Sequence, residues 1–353
     1  MRRRFFSDTS FWNTPLPSSP VLAAENERWR ELLYWACPEG GFHINLHAWT
    51  MPVYDVDART PRVRVERRFA LIRDGVLSGD EEPREGGMFF RHARHRLGPE
   101  HPLGHGPGFG PEVPIPPDAH PDPAGDAHLI LVDWEQGWAW DMWGVLRLPD
   151  GRWCSFTGMR YRIDGDGVFD PAWFAAEIGE SIHLYGPSRA SGVPAVAGLI
   201  MHDEVRAGRI AHKLAFGCLA PALLKHSPPA TWTDGGLPGG IPQGTIIQLD
   251  PALDLGRFPL SPGARAVARA LQEYGAVLCD FAGGATLYGE GAWAHPGMRW
   301  EGLLGEEDLR CIPFDCYRFL APSRIIERGM VSNQHPGILG AYARRTGIRV
   351  GHG

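Results

Sequence analysis

Apolar and polar residues alternate with period two over three consecutive stretches in the middle of the chain, 127–135 (AHLILVDWE), 137–148 (GWAWDMWGVLRL) and 152–163 (RWCSFTGMRYRI). Turn residues separate them, Gln136-Gly137 and then Pro149-Asp150-Gly151, so the pattern predicts an antiparallel meander. A two-residue turn in the first hairpin puts Trp138, Trp140 and Met142 on one face with Leu129 and Leu131, which reads as core. His128, Ile130, Val132 and Trp134 then share the opposite face with Ala139, Asp141, Trp143 and Val145. That face, with an acid and a histidine between tryptophans, is expected to meet a ligand.

Elsewhere the periodicity changes. Trp29, Leu32, Leu33 and Ala36 recur at helical spacing within 26–36. Residues 51–57 and 61–70 alternate again and read as strands. Residues 88–123 form a long Gly/Pro/His-rich connection, a length that suggests a functional lid or a surface wrap. Helices are predicted over 170–179 and 261–275, where Asp170-Pro171 and Ser261-Pro262 supply N-cap and first-turn residues, and a short one before Gly208. Strands follow at 209–217, 244–250, 276–283 and 285–291. Strands outnumber helices, and no β-helix-β alternation carries a Gly-rich phosphate loop. The pattern points to a mainly β protein, a jelly-roll-type antiparallel β-sandwich with a few peripheral helices. It reads as one domain over 1–353, with 291–353 as a C-terminal extension packing on it.

Composition narrows the function. Hydrophobic residues make up 43% and charged residues 22%, so the chain is expected to fold. Its 35 basic and 41 acidic side chains leave a charge of −6, with no electrostatic footprint for nucleic acid or an anionic membrane. No apolar run is long enough to span a bilayer, and the basic N-terminus lacks the apolar core of an export signal, so a soluble protein is expected. Six cysteines without a CxxC pair disfavour a structural zinc site. Thirteen tryptophans are more than the length requires, which suits a protein that stacks on sugar rings.

Asp141 is the first candidate acid, because stacking holds a sugar while desolvation tunes a carboxyl group. Asp280, inside the apolar stretch 276–283, needs a partner or a role, and with Asp141 or Glu204 would complete the carboxylate pair of a glycosidase. His128 and His212 are candidate positioning or pKa-tuning groups. Trp134 and Trp143 are candidate sugar platforms, and Tyr274 and Asp203 candidate substrate contacts. Were His212 and Tyr274 to converge, the same cleft could abstract a proton beside a uronate carboxyl, which is lyase chemistry. A binding module without catalysis is the alternative from a different class. His92, His95, His101 and His105 match no metal-site spacing, so no metal or other cofactor is expected. Asp164, Asp166 and Asp170 resemble part of a calcium loop without its terminal Glu, and read as a turn.

FWNTPLP near the start, PIPPDA at 114–119, GDAHLILVDWEQGWAWDMW, GLIMHDEVRAGRIAHKLAFG and YGAVLCDFAGG together resemble a group of usually exported bacterial proteins. There the corresponding motifs read W-N-x-P, G-D-x-H-x-x-x-V-D, D-E-x-x-x-G-x-I-x-H-A-L and Y-G-x-x-x-x-D-N-G. The resemblance implies a jelly-roll protein acting on polysaccharide. It matches Trp12, Asn13, His128, Asp133, Asp141, Asp203, Glu204, His212, Tyr274 and Asp280. Lys213 and Phe281 depart from it, standing where the group has a small residue and an Asn.

Overall fold

The computed structural model describes residues 4–77, 105–106, 108–170 and 187–327. The predicted meander is present. β5 (Leu129–Asp133), β6 (Trp138–Trp143) and β9 (Thr157–Arg162) are antiparallel neighbours, and β2 (Val53–Asp55) joins β5 in parallel to complete a four-stranded sheet. Residues 134–137 close the hairpin, so the turn is two residues longer than predicted. An even change leaves strand parity intact, and Leu129 still faces Met142 and Leu131 faces Trp140.

A six-stranded sheet lies against it in the order β1 (His43–Asn45), β15 (Thr286–Tyr288), β10 (Leu214–Cys218), β14 (Ala276–Phe281), β13 (Ile246–Leu249) and β16 (Tyr317–Phe319). A second four-stranded sheet runs β4 (Glu112–Pro114), β3 (Arg62–Arg67), β8 (Trp153–Ser155), β7 (Leu146–Arg147). A three-stranded one runs β12 (Ile241–Gln243), β11 (Pro221–His226), β17 (Ile326–Glu327).

The chain is mainly β, but the expected antiparallel sandwich needs correction, because every one of these sheets is mixed. Parallel pairs join β1 to β15, β10 to β14, β2 to β5, β3 to β8 and β11 to β12. Their connections are too long for hairpins: between β10 and β14 the chain forms three strands and a helix, then returns in the same direction.

Three apolar layers result. Ile130, Val132 and Ala139 meet Ala215, Val277 and Cys279 between the two larger sheets. On the far side of the six-stranded sheet, Phe216, Leu278 and Leu249 pack under helices α1 (Asn26–Ala36) and α4 (Pro262–Glu273). Leu129, Leu131, Trp140 and Met142 form the third layer with Val65, Val113 and Trp153. Both faces of the β5–β6 hairpin are therefore covered, and the expected ligand-facing side lies within a core.

Helix α4 begins as predicted, with the Ser261 hydroxyl accepting the Ala264 amide at 3.1 Å. The strand predicted over 61–70 stops at Arg67, and helix α2 (Arg68–Arg73) takes over. The strand predicted from Arg209 starts only at Leu214, because the Lys213 amide is spent on the Trp12 carbonyl, 2.7 Å away and outside the sheet. Part of the C-terminal extension is built into the main sheet through β16, and Trp300, Phe314 and Phe319 are fully buried. The rest of it, beyond Glu327, lies outside the described residues, as do the helix body at 171–179 and, of the 88–123 connection, residues 88–104 and 107. Among the described residues all six cysteines are free thiols, and no helix is long and apolar enough to cross a membrane.

The tryptophan-asparagine pair near the N-terminus is a clip. Asn13 Nδ2 donates to the carbonyls of Phe5 and Ser7, each at 2.9 Å, and to that of Phe6. Trp12, 1% exposed, donates its indole N–H to the Gly167 carbonyl at 2.9 Å. Lys213 closes the clip from below, its ammonium donating to the carbonyls of Phe11 (2.8 Å) and Thr14.

Candidate functional site

Asp126 and His128 precede β5 and project from the same side of the chain. The ring of His128, 3% exposed, sets Nε2 3.7 Å from Asp126 Oδ2, and the Trp143 indole donates to Asp126 Oδ1 at 3.2 Å. The Asp126 side chain is 45% exposed, so one face of this held carboxylate opens to solvent. Between the two stands Ala127, buried with φ 45°, a left-handed conformation that a residue with a Cβ seldom adopts. Such strain persists only where the surroundings impose it, and it clusters at functional sites. Trp49, half-exposed, shares the feature with φ 57°, and its amide and that of Thr50 lie against the Asp122 carboxylate beside His128.

Asp280 enters from the other sheet. The register of β10 against β14 shifts after Phe216, so that Gly217 pairs with Asp280. The irregularity breaks the alternation: Cys279 stays in the inter-sheet core while Asp280 emerges half-buried at the strand end. The charged groups acting on it are Asp234, Arg189, Asp126 and His128.

These environments drive the carboxyl groups apart. Burial, reinforced by Asp234, pushes Asp280 up to about 8, so it carries a proton at neutral pH. Burial would raise Asp126 too, but its pairing with His128 and the Trp143 indole outweighs this and holds it below the ordinary carboxylate range. His128 gains in return: burial opposes its charge, yet the Asp126 carboxylate raises its affinity for a proton. Burial lifts Asp122 to about 6.

Asp141 is 0% exposed and accepts two backbone amides, Ala195 N at 2.7 Å and Ser188 N at 3.0 Å. It clamps the two ends of the segment 188–195. Arg189, equally buried, sits in that segment, donates Nη2 to the Ala195 carbonyl at 3.2 Å and stacks 4.4 Å from the centre of the Tyr288 ring.

Of the residues singled out from sequence, Asp141, His128, Asp280 and Trp143 therefore gather in one region, with Asp141 inside and behind it. Trp134 is elsewhere, its indole N–H bonded to Asp55 at 2.7 Å and its ring against Phe5. Glu204 and His212 find each other instead, Nε2 to Oε2 at 2.8 Å, while His212 Nδ1 meets the Lys213 carbonyl at 2.8 Å. Both ring nitrogens face oxygen atoms; burial opposes a charge on the ring, but the Glu204 carboxylate outweighs it and raises the ring's affinity for a proton. Arg4, Phe5, Phe6 and Trp12 line the small pocket beside this pair.

Tyr274 caps α4 at the opposite end of β14 from Asp280, a strand length of ~20 Å away. Asp203 lies on the surface of the short helix α3 (His202–Arg206), 3.4 Å from Arg206. Asp164 pairs with Arg162 and Asp166 accepts the Val168 amide, both turn contacts. His105 bonds Ser155 at 2.9 Å, and burial together with Arg67 lowers its pKa to about 3, so it is neutral. His92, His95 and His101 lie outside the described residues. Among the described residues no group of three or more His, Cys, Asp or Glu is placed to hold a metal ion.

Sequence reasoning passed over Asp126, Asp122, Asp234, Arg189 and Trp49. Asp126 carried a signal, since it shares strand parity with His128 two residues on. Arg189 carried none, because a loop charge acquires meaning only from what folds against it. No family model, curated protein or solved structure matches the chain.

Proposed function

We propose that the protein is a carbohydrate-active enzyme, a glycoside hydrolase in which Asp280 is the proton donor and Asp126 the ionised partner. The observation that carries this reading is a solvent-open carboxylate fixed by a histidine and a tryptophan, together with a second, half-buried carboxyl group from another sheet whose proton affinity is raised and on which the first acts electrostatically. Asp280 gives its proton to the glycosidic oxygen as the bond to the anomeric carbon breaks. Asp126 stabilises the positive charge on that carbon and takes the proton of the incoming water. Half-exposed Trp143 and Trp49 supply apolar surface for a sugar ring.

The carboxylates also bear on the substrate. Asp122, Asp126 and Asp234 outnumber Arg189 and His128, which disfavours a polyuronate and favours a neutral polysaccharide such as a β-glucan. His212, the base the lyase alternative needs, is paired with Glu204 at 2.8 Å, which disfavours that reading.

Incubation with β-glucans, xylans and uronate polymers, reading new reducing ends and the ultraviolet absorbance of unsaturated ends, tests the proposal. Reducing ends without absorbance support hydrolysis. Absorbance gain would make the protein a lyase, and affinity without either product would make it a binding module.

A further inference from the structure

Arg189 has no use in the chemistry above, yet it is a fully buried cation. A buried guanidinium is costly unless it is paired, and among the described residues Arg189 has no carboxylate within ion-pairing distance. Of its donors, Nη2 serves the Ala195 carbonyl, while Nε and Nη1 have no acceptor. Its plane is fixed by the Tyr288 ring, and its backbone by the Asp141 clamp and the Gly192 amide, which donates to the Arg189 carbonyl at 2.9 Å. The side chain is thus rigid, charged and partly unspent, and its segment is tied to β14 next to Asp280: the Ser191 amide donates to the Cys279 carbonyl at 3.3 Å, and the hydroxyl of the Tyr288 ring under the guanidinium lies against Gly217, the residue paired with Asp280.

We infer that Arg189 is a positioning residue whose fixed charge stabilises the carboxylate that Asp280 becomes when it releases its proton. The inference rests on the reading of Asp280 as an acid. A proton donor buried among other acids has a fault: its conjugate base would be poorly tolerated, and the proton would be held too firmly. Asp234 and Asp126 make that worse, while His128 and Arg189 oppose it. Donors fixed beforehand where charge develops need no reorganisation at the moment of reaction. Asp141, Tyr161 and Cys279 also face the guanidinium, but Asp141 is occupied by two amides, which leaves Asp280 as the carboxylate whose charge changes.

The test follows Asp280 by carboxyl-carbon NMR in the full chain, together with the guanidinium nitrogen resonances of Arg189 in the wild type. The Arg189 Nε–H signal is expected to move with the Asp280 midpoint and to become flat in Asp280→Asn. Arg189→Met is expected to raise that midpoint by about one pH unit, and Arg189→Lys to return it most of the way. The alkaline limb of kcat/KM on a hydrolysed glycan should rise with it. A guanidinium signal indifferent to Asp280 in the wild type would overturn the inference, as would an unshifted midpoint in folded Arg189→Met. Because the NMR midpoints need no substrate, they decide the role of Arg189 even if no glycan is cleaved.

Discussion

The Asp141 carboxylate meets the Ala195 amide at 2.7 Å, and through it the sheet holds the loop that presents Arg189. The acid that stood out most in the sequence is thus a clamp behind the site, and its neighbour Asp126 faces solvent.

Asp141→Ala would strand two amides inside the protein. A stability loss of ~3 kcal/mol is expected from urea unfolding, with residual activity tracking the folded fraction. Asp141→Asn, which keeps one acceptor, should lose less. Equal stability of Asp141→Ala and wild type would remove the clamp.

Asp280 and Lys213 give stability opposite dependences on pH. The folded pKa of Asp280, about 8, lies above its ordinary 3.8, so its contribution is whole below that value and is lost as pH rises towards 8. Burial lowers Lys213 from 10.5 to about 8, so its contribution is full above 10.5 and is lost as pH falls through 8. Urea midpoints at constant salt should decline from pH 4 to 8 and recover above it. Asp280→Asn should flatten the decline, and Lys213→Met the recovery.

Asn13→Ala leaves three backbone carbonyls without their shared donor. A loss of ~2 kcal/mol is expected in calorimetry, with kcat on any cleaved glycan unchanged. A large fall in kcat at unchanged stability would move the N-terminal clip into the active site.

His212→Gln breaks an enclosed ion pair and should cost ~3 kcal/mol of stability. Catalytic constants per folded molecule should stay at the wild-type level. Loss of turnover in a fully folded variant would restore the histidine to the chemistry.

What the sequence disclosed follows from how far each residue's meaning is local. Period-two alternation assigned the β5–β6 faces correctly because parity depends only on neighbours along the strand. It did not reveal that Asp141's face is covered, since the strands β10 and β14 that cover it come from residues more than seventy positions later. His212 looked catalytic on its strand, and only the fold of α3 brings Glu204 to pair with it. Asp280 was recognisable as an acid in an apolar run, whereas its irregular register, its Asp234 neighbour and the nearby arginine arise from long-range packing.

The most direct measurement is the rate at which Asp280→Asn and Asp126→Asn release reducing ends from a neutral polysaccharide that the wild type cleaves. If these two carboxyl groups carry the hydrolysis, each variant stays folded and loses about a thousandfold in kcat. Wild-type turnover by either folded variant would contradict the assignment.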